Sequence, residues 1–471
     1  MGGPGSLVYR RGIESSTTLS RLLERAAPVD ASVLAAWVVR APPNDPARTP
    51  YCGIDVEQVT TPPRDLRGGS PSLRDAPAFL RRALVDTVDA ALVGARRVAV
   101  MTGGGIDSSA LLGLATRWAE RTGGSAFAIS LDFEGPGDDR PHLRALERAL
   151  KCEVVRVTPE DAAGRLDLLD SGADAVPMCH PMMPMLVEML VRARAHGAER
   201  VLCGAGADEL FSGSPHALAD LAWRGHPVRA VRAARRLSGF EEPRFRAWSW
   251  VVRPALGRAL PMRLRAWRER GDDRHAPPEW AGPVTRSFLD ERRRLAGGHV
   301  RRPPRTEPQR FAAIRDDPHR TVYAWERHQY EQAAGVDVSW PYLDLRLAAA
   351  VAALRPDYLL LGDRWRGLLR ASIRGLVPDS VCERDDKARF EPALKRFVDA
   401  AGGLASLRPL ASMRELSSLG LVSPAAFAAA FDRFVATPDD GEAWVLLWPP
   451  LAVEAFLRRQ ASFARVGERA S

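Results

Sequence analysis

The segment Val98-Ala-Val-Met-Thr-Gly-Gly-Gly-Ile-Asp-Ser-Ser109 is the most informative part of this sequence for its fold class. A short apolar run leads into three glycines, Asp107 and two serines, and an apolar segment with helical spacing follows. A glycine-rich turn between a strand and a helix lets the backbone approach a phosphate group, for which the first N–H groups of the helix are donors. The segment lacks the Lys of a Walker A loop and the GxGxxG spacing of dinucleotide folds. It therefore predicts a phosphate-binding loop of another kind.

A second acidic motif lies downstream at Arg200-Val-Leu-Cys-Gly-Ala-Gly-Ala-Asp-Glu-Leu-Phe-Ser-Gly213. Here too a short apolar run leads into small residues, and the acidic pair Asp208-Glu209 follows. An acidic residue beside a phosphate site is explained if it holds a divalent cation that bridges phosphate oxygens. Mg²⁺ needs few carboxylates when phosphate oxygens complete its ligand set, so two aspartates are sufficient.

Both motifs resemble the synthetase domain of the asparagine synthetase family, whose patterns are Ser-Gly-Gly-x-Asp-Ser and Ser-Gly-x-Gly-x-Asp-Glu-Leu-Phe-x-Gly. Further matching blocks follow in the order of the family: Ser339-Trp-Pro-Tyr-Leu-Asp-Leu-Arg346, Gly367-Leu-Leu-Arg-Ala-Ser-Ile-Arg-Gly-Leu-Val-Pro378 and Arg384-Asp-Asp-Lys-Ala-Arg-Phe390. The resemblance runs from about residue 75 to about residue 460. Because several ordered blocks are far more specific than any one of them, the chain is identified as a member of this family.

From Ala76 onward, apolar runs of strand type alternate with segments of helical spacing. The predicted strands are Val98–Met101, Ala126–Phe133, Val154–Val157 and Val201–Leu202, and the predicted helices are Pro77–Val93, Ser108–Arg121, Arg140–Leu150 and Met182–His196. This alternation predicts an α/β fold, a parallel sheet with helices on both faces. The resemblance implies that it is of the ATP-pyrophosphatase type, similar to adenine nucleotide alpha hydrolases. After Gly213 the pattern is helical, which predicts a mainly helical C-terminal part.

Two regions are predicted, a synthetase domain at residues 76–471 and an N-terminal region at residues 1–75. The N-terminal region is rich in Pro, Gly and turn residues, with helical patterns near Leu19–Ala27 and Ala31–Val39. Relatives in the family often carry a longer glutaminase domain there, with a catalytic Cys directly after the initiator Met. Here position 2 is Gly and the first cysteine is Cys52. The region is therefore interpreted as a shortened, inactive glutaminase remnant, since the attacking thiolate is missing.

The resemblance assigns a set of residues to the phosphates of ATP. They lie in the glycine loop and in the first turn of the helix after it: Thr102, Gly103, Gly104, Gly105, Asp107, Ser108 and Ser109. Gly103 stands where the family has Ser. We expect this difference to remove one hydroxyl from the loop and to weaken ATP binding unless Thr102 compensates.

The remaining nucleotide and metal contacts are also assigned by resemblance. The small residues of the second motif, Gly204 and Gly206, belong to the nucleotide site, and the main chain around Ile129 and Leu131 would bind adenine. Both motif aspartates, Asp107 and Asp208, would hold Mg²⁺.

Lys387 is predicted to be catalytic, together with Asp208 and Glu209. It matches the lysine that in these synthetases stabilises the adenylate and the charge that develops on pyrophosphate, a role that suits a compact ammonium group. Lysine is scarce in this chain, which has only Lys151, Lys387 and Lys395. A lysine at this point of the closing block is therefore informative by composition alone.

Position 205 separates the chain from the best-known relatives. Glutamine-dependent asparagine synthetases have Glu there and β-lactam synthetase-like members have Tyr, whereas this chain has Ala205, which can transfer no proton. The general base is then Glu209, Glu326, His328 or the substrate itself. These differences favour a specialised amide-forming ligase, closer to lasso-peptide cyclases and β-lactam synthetase-like enzymes.

The net charge of +9 is concentrated in one part of the chain. Between Leu221 and Arg310 there are 22 arginines against 9 acidic residues. One interpretation is a basic face for an acidic peptide or a carrier protein, with nucleic acid a less favoured partner because no RNA-binding module is recognisable. The other is a solvated helical layer whose arginine stems cover apolar surface. The sequence leaves both open.

Composition indicates whether the chain crosses a membrane, is secreted or contains reduced thiols. The 471 residues contain no uncharged apolar run of about 18 residues, so no membrane span is predicted. The N-terminus does not have the form of a signal peptide. The five cysteines are scattered without a CxxC pair, which favours reduced thiols in the cytoplasm.

The predicted function is that of an ATP-dependent, AMP-forming amide ligase. It would adenylate the carboxylate of a small molecule or peptide and let an amine attack it, in natural-product or peptide biosynthesis. The main alternative is an ammonia-dependent asparagine synthetase-type amidotransferase. A tRNA-modifying ATP pyrophosphatase and a non-catalytic scaffold are less favoured. The substrates, intramolecular or intermolecular attack, and the oligomeric state are left open.

Overall fold

The structure is a computed structural model that describes most of the chain. The described residues are 7–23, 27–41, 43–45, 47–58, 71–135, 138–172, 176–212, 215–236, 251–252, 255–256, 277–298, 319–384, 389–438 and 441–470. All the site residues predicted from the sequence fall within these ranges except Lys387, which lies outside them. Most of the arginine-rich segment also lies outside them.

The N-terminal region forms a small antiparallel sheet that the sequence did not predict. Its strands are β1 (Leu7–Arg11), β2 (Glu14–Ser16) and β3 (Asp55–Gln58), in the order β2–β1–β3, and its helices are α1 (Leu19–Leu22) and α2 (Ala31–Val38). Asp30 begins α2, because its carboxylate accepts the amide of Ser32 at 3.0 Å. The sheet packs on the rest of the molecule through Tyr9, whose ring lies 5.4 Å from that of Trp325.

A parallel sheet forms the centre of the molecule. Its strands are β4 (Arg97–Met101), β5 (Ser125–Leu131), β6 (Val154–Val157), β7 (Arg200–Leu202) and β8 (Asp337–Ser339), in the order β6–β5–β4–β7–β8. Every neighbouring pair is parallel. The predicted strands therefore all form, within two residues of their expected ends.

Helices occupy most of the remaining described chain. Those before β8 are α3 (Ala76–Ala91), α4 (Ile106–Thr122), α5 (Arg140–Leu150), α6 (Leu168–Ser171), α7 (Met183–Ala195), α8 (Ala207–Phe211), α9 (Pro215–Trp223), α10 (Pro227–Arg236), α11 (Pro283–Gly298) and α12 (His319–Ala334). Those after it are α13 (Leu345–Ala352), α14 (Gly367–Ile373), α15 (Asp379–Cys382), α16 (Glu391–Ala400), α17 (Arg414–Ser418), α18 (Pro424–Ala436) and α19 (Gly441–Ala470). Short 3₁₀ helices lie at Glu160–Asp167, Pro341–Leu343, Pro356–Asp363, Leu404–Leu407 and Leu410–Ser412.

Both faces of the sheet are buried. On β4, Val98 and Val100 join one hydrophobic core with α3, α4 and α14, while Ala99 joins the other core with α7 and α19. Side chains alternate between the faces of a strand, so a strand covered on both sides needs the continuous apolar run that β4 has. The predicted α/β architecture with helices on both faces is confirmed, as is the mainly helical C-terminal part.

The order of the strands places a ligand crevice between β4 and β7. The chain runs outward from β4 through β5 to β6, and then returns to the other side of β4 to form β7 and β8. At such a reversal the loops after the two central strands diverge to opposite faces and leave a crevice at the carboxyl ends of the strands. The two acidic motifs follow β4 and β7.

One strand in the second half of the chain was not predicted. Within the mainly helical part after Gly213, Asp337–Ser339 forms the edge strand β8 beside β7. Three residues are too few to show a periodicity of two, and only pairing with β7 reveals the strand. Within the described part of the chain, no helix is long and apolar enough to cross a membrane.

Candidate active site

The glycine loop joins β4 to α4 as predicted. Gly104 has a φ of +75°, which L side chains rarely adopt, and Gly105 is the N-cap of α4. Asp107 lies in the first turn of this helix. The first N–H groups of α4 have no intrahelical acceptor, so the turn is suited to an anion.

The two motif aspartates contact the same guanidinium group. Arg366 Nη1 lies 2.5 Å from Oδ2 of Asp107, and Arg366 Nη2 pairs with Oδ1 of Asp208. The exposed fraction of the side chain is 14% for Arg366, 19% for Asp107 and 57% for Asp208. The site is therefore shielded at the glycine loop and opens to solvent at the second motif.

Arg366 is held in position by an unusual backbone. Its φ of 55° is in the left-handed region, directly before α14. The next residue must be glycine, because a Cβ at Gly367 would overlap the carbonyl oxygen of Leu361. The guanidinium also lies 3.4 Å from the hydroxyl oxygen of Ser212, through its Nε.

Residues of the third block support both aspartates. The Tyr342 hydroxyl donates to the carbonyl oxygen of Asp107 at 2.7 Å. Burial raises the pKa of Tyr342, and the charge of Asp107 adds to this effect, so the phenol stays a donor. Gly206 begins α8 with a φ of +90°, and a Cβ there would overlap the side chain of Leu343. Asp208 lies in the first turn of that helix.

The space beside Gly103 is filled by an acidic residue. A Cβ at position 103 would lie 2.6 Å from Oδ2 of Asp139, which is closer than real contacts allow. Asp139 is itself buried and pairs with the buried Arg384 at 2.5 Å. The Asp139–Arg384 ion pair therefore occupies the space that a side chain at position 103 would need.

The hydroxyl groups of the loop differ in their orientation. Thr102 is buried, and its hydroxyl donates to the carbonyl oxygen of Val100 at 3.1 Å, back along β4. Ser108 donates to Gly105 at 3.3 Å, within the first turn of α4. Ser109 is fully buried. The Thr102 side chain is thus not placed to replace the hydroxyl that Gly103 lacks.

The two residues predicted to bind adenine are not equivalent. The carbonyl of Ile129 already accepts the amide of Thr102 at 2.9 Å. Main-chain groups two residues apart on a strand point to the same side, so those of Leu131 also face the β4 side. Because β4 pairs with β5 only as far as Ile129, the Leu131 main chain lies beyond its end. This arrangement favours Leu131 over Ile129 as the residue whose main chain contacts adenine.

The second motif lies against the first. A Cβ at Gly204 would be 3.5 Å from the amide nitrogen of Ser108, so the loop after β7 contacts the start of α4. Glu209 lies beside Asp208 in the first turn of α8. The structure thus brings Asp107, Gly204 and Asp208 together.

Comparison with known proteins decides the family. The family profile described as asparagine synthase matches residues 79–458. The chain belongs to this family. It is a ligase that forms carbon–nitrogen bonds with ATP and yields AMP and pyrophosphate.

Comparisons with curated sequences and with solved structures give no further assignment. No curated protein sequence matches the chain. Among solved structures, the chain is similar to the U34-tRNA thiolase NcsA from Methanococcus maripaludis with its [4Fe-4S] cluster, at 13% identity over 59% of this chain and 87% of that chain. The TM-score of 0.26 is too low for any inference from that protein.

The sequence predicted only some of the residues that form this site. Arg366 precedes the quoted block by one residue and was missed, because its partners Asp107 and Asp208 lie in distant parts of the chain. Tyr342 was quoted only as part of its block. Nothing in the local sequence pairs Asp139 with Arg384, which are 245 residues apart.

Glu326 is a candidate general base. Glu326 of α12 pairs with Arg40 at 3.4 Å and lines a cavity of about 30 Å³ with Trp37, Cys179 and His180. Burial raises the pKa of the Glu326 carboxyl, and Arg40 opposes the shift. Burial also raises the pKa of Cys203, which directly precedes Gly204, and the charge of Glu326 adds to it. The charge of Glu326 thus acts on Cys203, at the start of the loop that carries Ala205.

The other titratable groups near this cavity are less suited to proton transfer. Burial lowers the pKa of His180 to about 3, and its Nδ1 accepts the amide of Met182 at 3.1 Å. His328, another candidate from the sequence, is buried against Tyr9 with ring centroids 5.8 Å apart. Glu326 is therefore the preferred candidate, since burial raises its pKa and its charge acts on Cys203.

Proposed function

We propose that this chain adenylates the carboxylate of a small molecule or peptide and joins it to an amine other than glutamine-derived ammonia, in specialised biosynthesis. The observation that carries the proposal is the contact of Asp107 and Asp208 with one guanidinium group, which supports a cation site shared by the two motifs. Amide formation by way of an adenylate needs such a site, because the departing pyrophosphate must be neutralised.

Mg²⁺ is part of this proposal. Both donor groups are hard carboxylate oxygens, the ligand type that Mg²⁺ prefers. Within the described ranges no cluster of three or more His, Cys, Asp or Glu side chains has the arrangement of a metal site. Asp107 and Asp208 would therefore hold the ion together with phosphate oxygens and water. When bound, it would neutralise charge on the phosphates.

In the first step, the substrate carboxylate attacks the α-phosphorus and pyrophosphate leaves. The loop amides around Gly104 and Gly105 would hold the phosphates, and the main chain of Leu131 would hold adenine. Lys387 is proposed to stabilise the adenylate. Fixing the reacting groups in this way removes much of the entropic barrier.

In the second step, the amine attacks the acyl carbon, loses a proton, and AMP leaves. We propose that Glu326 accepts this proton, because Ala205 has no group for it. A raised pKa brings a carboxylate base closer to neutral pH, where general bases are most effective. The cavity beside Glu326 has room for a water molecule that would relay the proton.

The absence of a proton-transferring side chain at position 205 supports an amine substrate over ammonia. The alternative, an ammonia-dependent asparagine synthetase-type amidotransferase, uses the same adenylation step and differs only in the acceptor. Turnover with ammonium and aspartate alone would favour it.

Helix α10 supports an acidic partner. Its alanines Ala230, Ala233 and Ala234 are buried, while Arg229, Arg232 and Arg235 are exposed on the other side. Val228 beside them is 71% exposed. An exposed row of cations with an apolar neighbour suits an acidic segment of a peptide or carrier-protein substrate. The cysteines are all free thiols, which supports a cytoplasmic location.

An oxygen-transfer experiment tests the chemistry. A carboxylate substrate labelled with ¹⁸O on both oxygens is incubated with ATP, Mg²⁺ and an amine, and the AMP is analysed by mass spectrometry. Adenylation places one ¹⁸O in the phosphate of AMP as the amide forms. Label in inorganic phosphate together with ADP would contradict adenylation.

A further inference from the structure

Arg366 lies where a cation shared by the two motif aspartates must lie, and it cannot stay there once another cation binds both. We propose that Arg366 exchanges partners during the reaction. It holds Asp107 and Asp208 before nucleotide binds, and it pairs with the β- and γ-phosphate oxygens that become pyrophosphate once Mg²⁺ occupies the carboxylates. This inference rests on the proposed function.

The position of Arg366 makes the exchange geometrically short. Asp107 lies in the first turn of α4, whose N–H groups border the phosphate site. A guanidinium that is 2.5 Å from this carboxylate is adjacent to the same site. Its terminal nitrogens already serve two separate oxyanions, and a planar guanidinium can present the same pair of donors to phosphate oxygens.

The surroundings of Arg366 strengthen its interaction with oxyanions and limit how far its side chain moves. Arg366 is 14% exposed, so its charge is weakly screened compared with that of a surface arginine. The left-handed backbone and the required glycine at position 367 fix the start of the side chain. Only the distal part of the side chain needs to turn for the partners to change.

Exchange also places positive charge where the phosphates require it. Before nucleotide binds, one guanidinium faces two carboxylates. With ATP and Mg²⁺ bound, the ion faces the carboxylates, and the released guanidinium adds a positive charge next to the departing pyrophosphate. Charge that develops in the transition state is thereby met by a group already in place.

Equilibrium binding tests the phosphate contact. Affinities of the full-length protein for pyrophosphate and for AMP are measured by calorimetry with Mg²⁺ present, for wild type, R366M, R366K and the control R374M. Arg374 is exposed and pairs with Glu383, away from the aspartates. We expect R366M to weaken pyrophosphate binding about 10- to 100-fold, the range for hydrogen bonds to charged groups. AMP affinity should be unchanged, and R366K should be intermediate.

Metal binding without nucleotide tests the contact with the carboxylates. Mn²⁺ is titrated and its free form followed by electron paramagnetic resonance. R366M should bind Mn²⁺ more tightly than wild type, because the variant removes the guanidinium that competes for both aspartates. If R366M is unstable, R366Q gives the same comparison, since it also removes the charge.

Two results would overturn the inference without affecting the proposed function. One is that R366M binds pyrophosphate as tightly as wild type does. The other is that R366M binds Mn²⁺ no more tightly than wild type does. In either case wild type still binds ATP and forms AMP, so the proposed function stands. If wild type binds neither ATP nor pyrophosphate with Mg²⁺, the proposed function and the inference both fail.

Discussion

Asp107 and Arg366 are 259 residues apart in the chain, yet their side chains meet at 2.5 Å between Oδ2 and Nη1. The contact joins the glycine loop after β4 to the residue before α14. Because Arg366 also pairs with Asp208, it connects the loops after both central strands. The site is therefore assembled from three distant parts of the chain.

Gly103→Ser should damage the site, although it restores the residue of the family pattern. The new Cβ would lie 2.6 Å from Asp139, whose carboxylate is held by Arg384. We expect a loss of about 1–3 kcal/mol in the free energy of unfolding, the usual cost of overpacking, and weaker ATP binding. Thermal melts and ATP titration measure both. Gly164→Ala is the control for stability, since its added Cβ meets nothing within 4 Å. A stable G103S protein that binds ATP more tightly would show that Asp139 does not restrict position 103.

Glu326→Gln should remove the acid limb of the pH–rate profile. A base must be deprotonated to act, and burial raises the Glu326 pKa above its ordinary value of 4.5. In wild type, kcat/KM should therefore rise with pH through a midpoint above 4.5. The variant should lose this rise and about 10²–10⁴-fold in rate.

The matched control for E326Q is Glu331→Gln on the same helix. Burial also raises the pKa of Glu331, but its carboxylate accepts the amide of Val338 at 3.2 Å, away from the cavity. The control should keep the acid limb. Persistence of the limb in E326Q, or its loss in both variants, would exclude Glu326 as the base.

Charge reversal on α10 should weaken binding of an acidic peptide. A fluorescein-labelled polyglutamate peptide serves as the probe, with affinity followed by fluorescence anisotropy at two salt concentrations. We expect R232E/R235E to weaken binding about tenfold, since an exposed ion pair contributes up to about 1 kcal/mol. The control R117E/R148E makes the same change of net charge on α4 and α5. An equal loss in both variants would mean that only overall charge attracts the peptide.

The parts of the site that follow strands were predictable from the sequence. Asp107 and Asp208 each come after a short buried run, and parallel strands bring their carboxyl ends to one edge of a sheet. Local pattern and this topological rule were enough to place them together.

The parts that depend on distant contacts were not predictable. Arg366 gives no local signal, because its partners come from other loops and its left-handed backbone is set by packing around Gly367. The clash at position 103 likewise depends on Asp139, the N-cap residue of the helix after β5. Strand β8 is visible only through its pairing with β7.

Adenylation is tested most directly by ATP–[³²P]pyrophosphate exchange with Mg²⁺, using pools of amino acids, carboxylates and peptides. Wild type, D107N and D208N are compared, with melting temperatures as a check on folding. We expect carboxylate-dependent exchange in wild type and a loss of at least about 100-fold in each folded variant, the scale seen when one charge-stabilising group is removed. Full exchange in D107N and D208N would rule out the proposed role of the two aspartates.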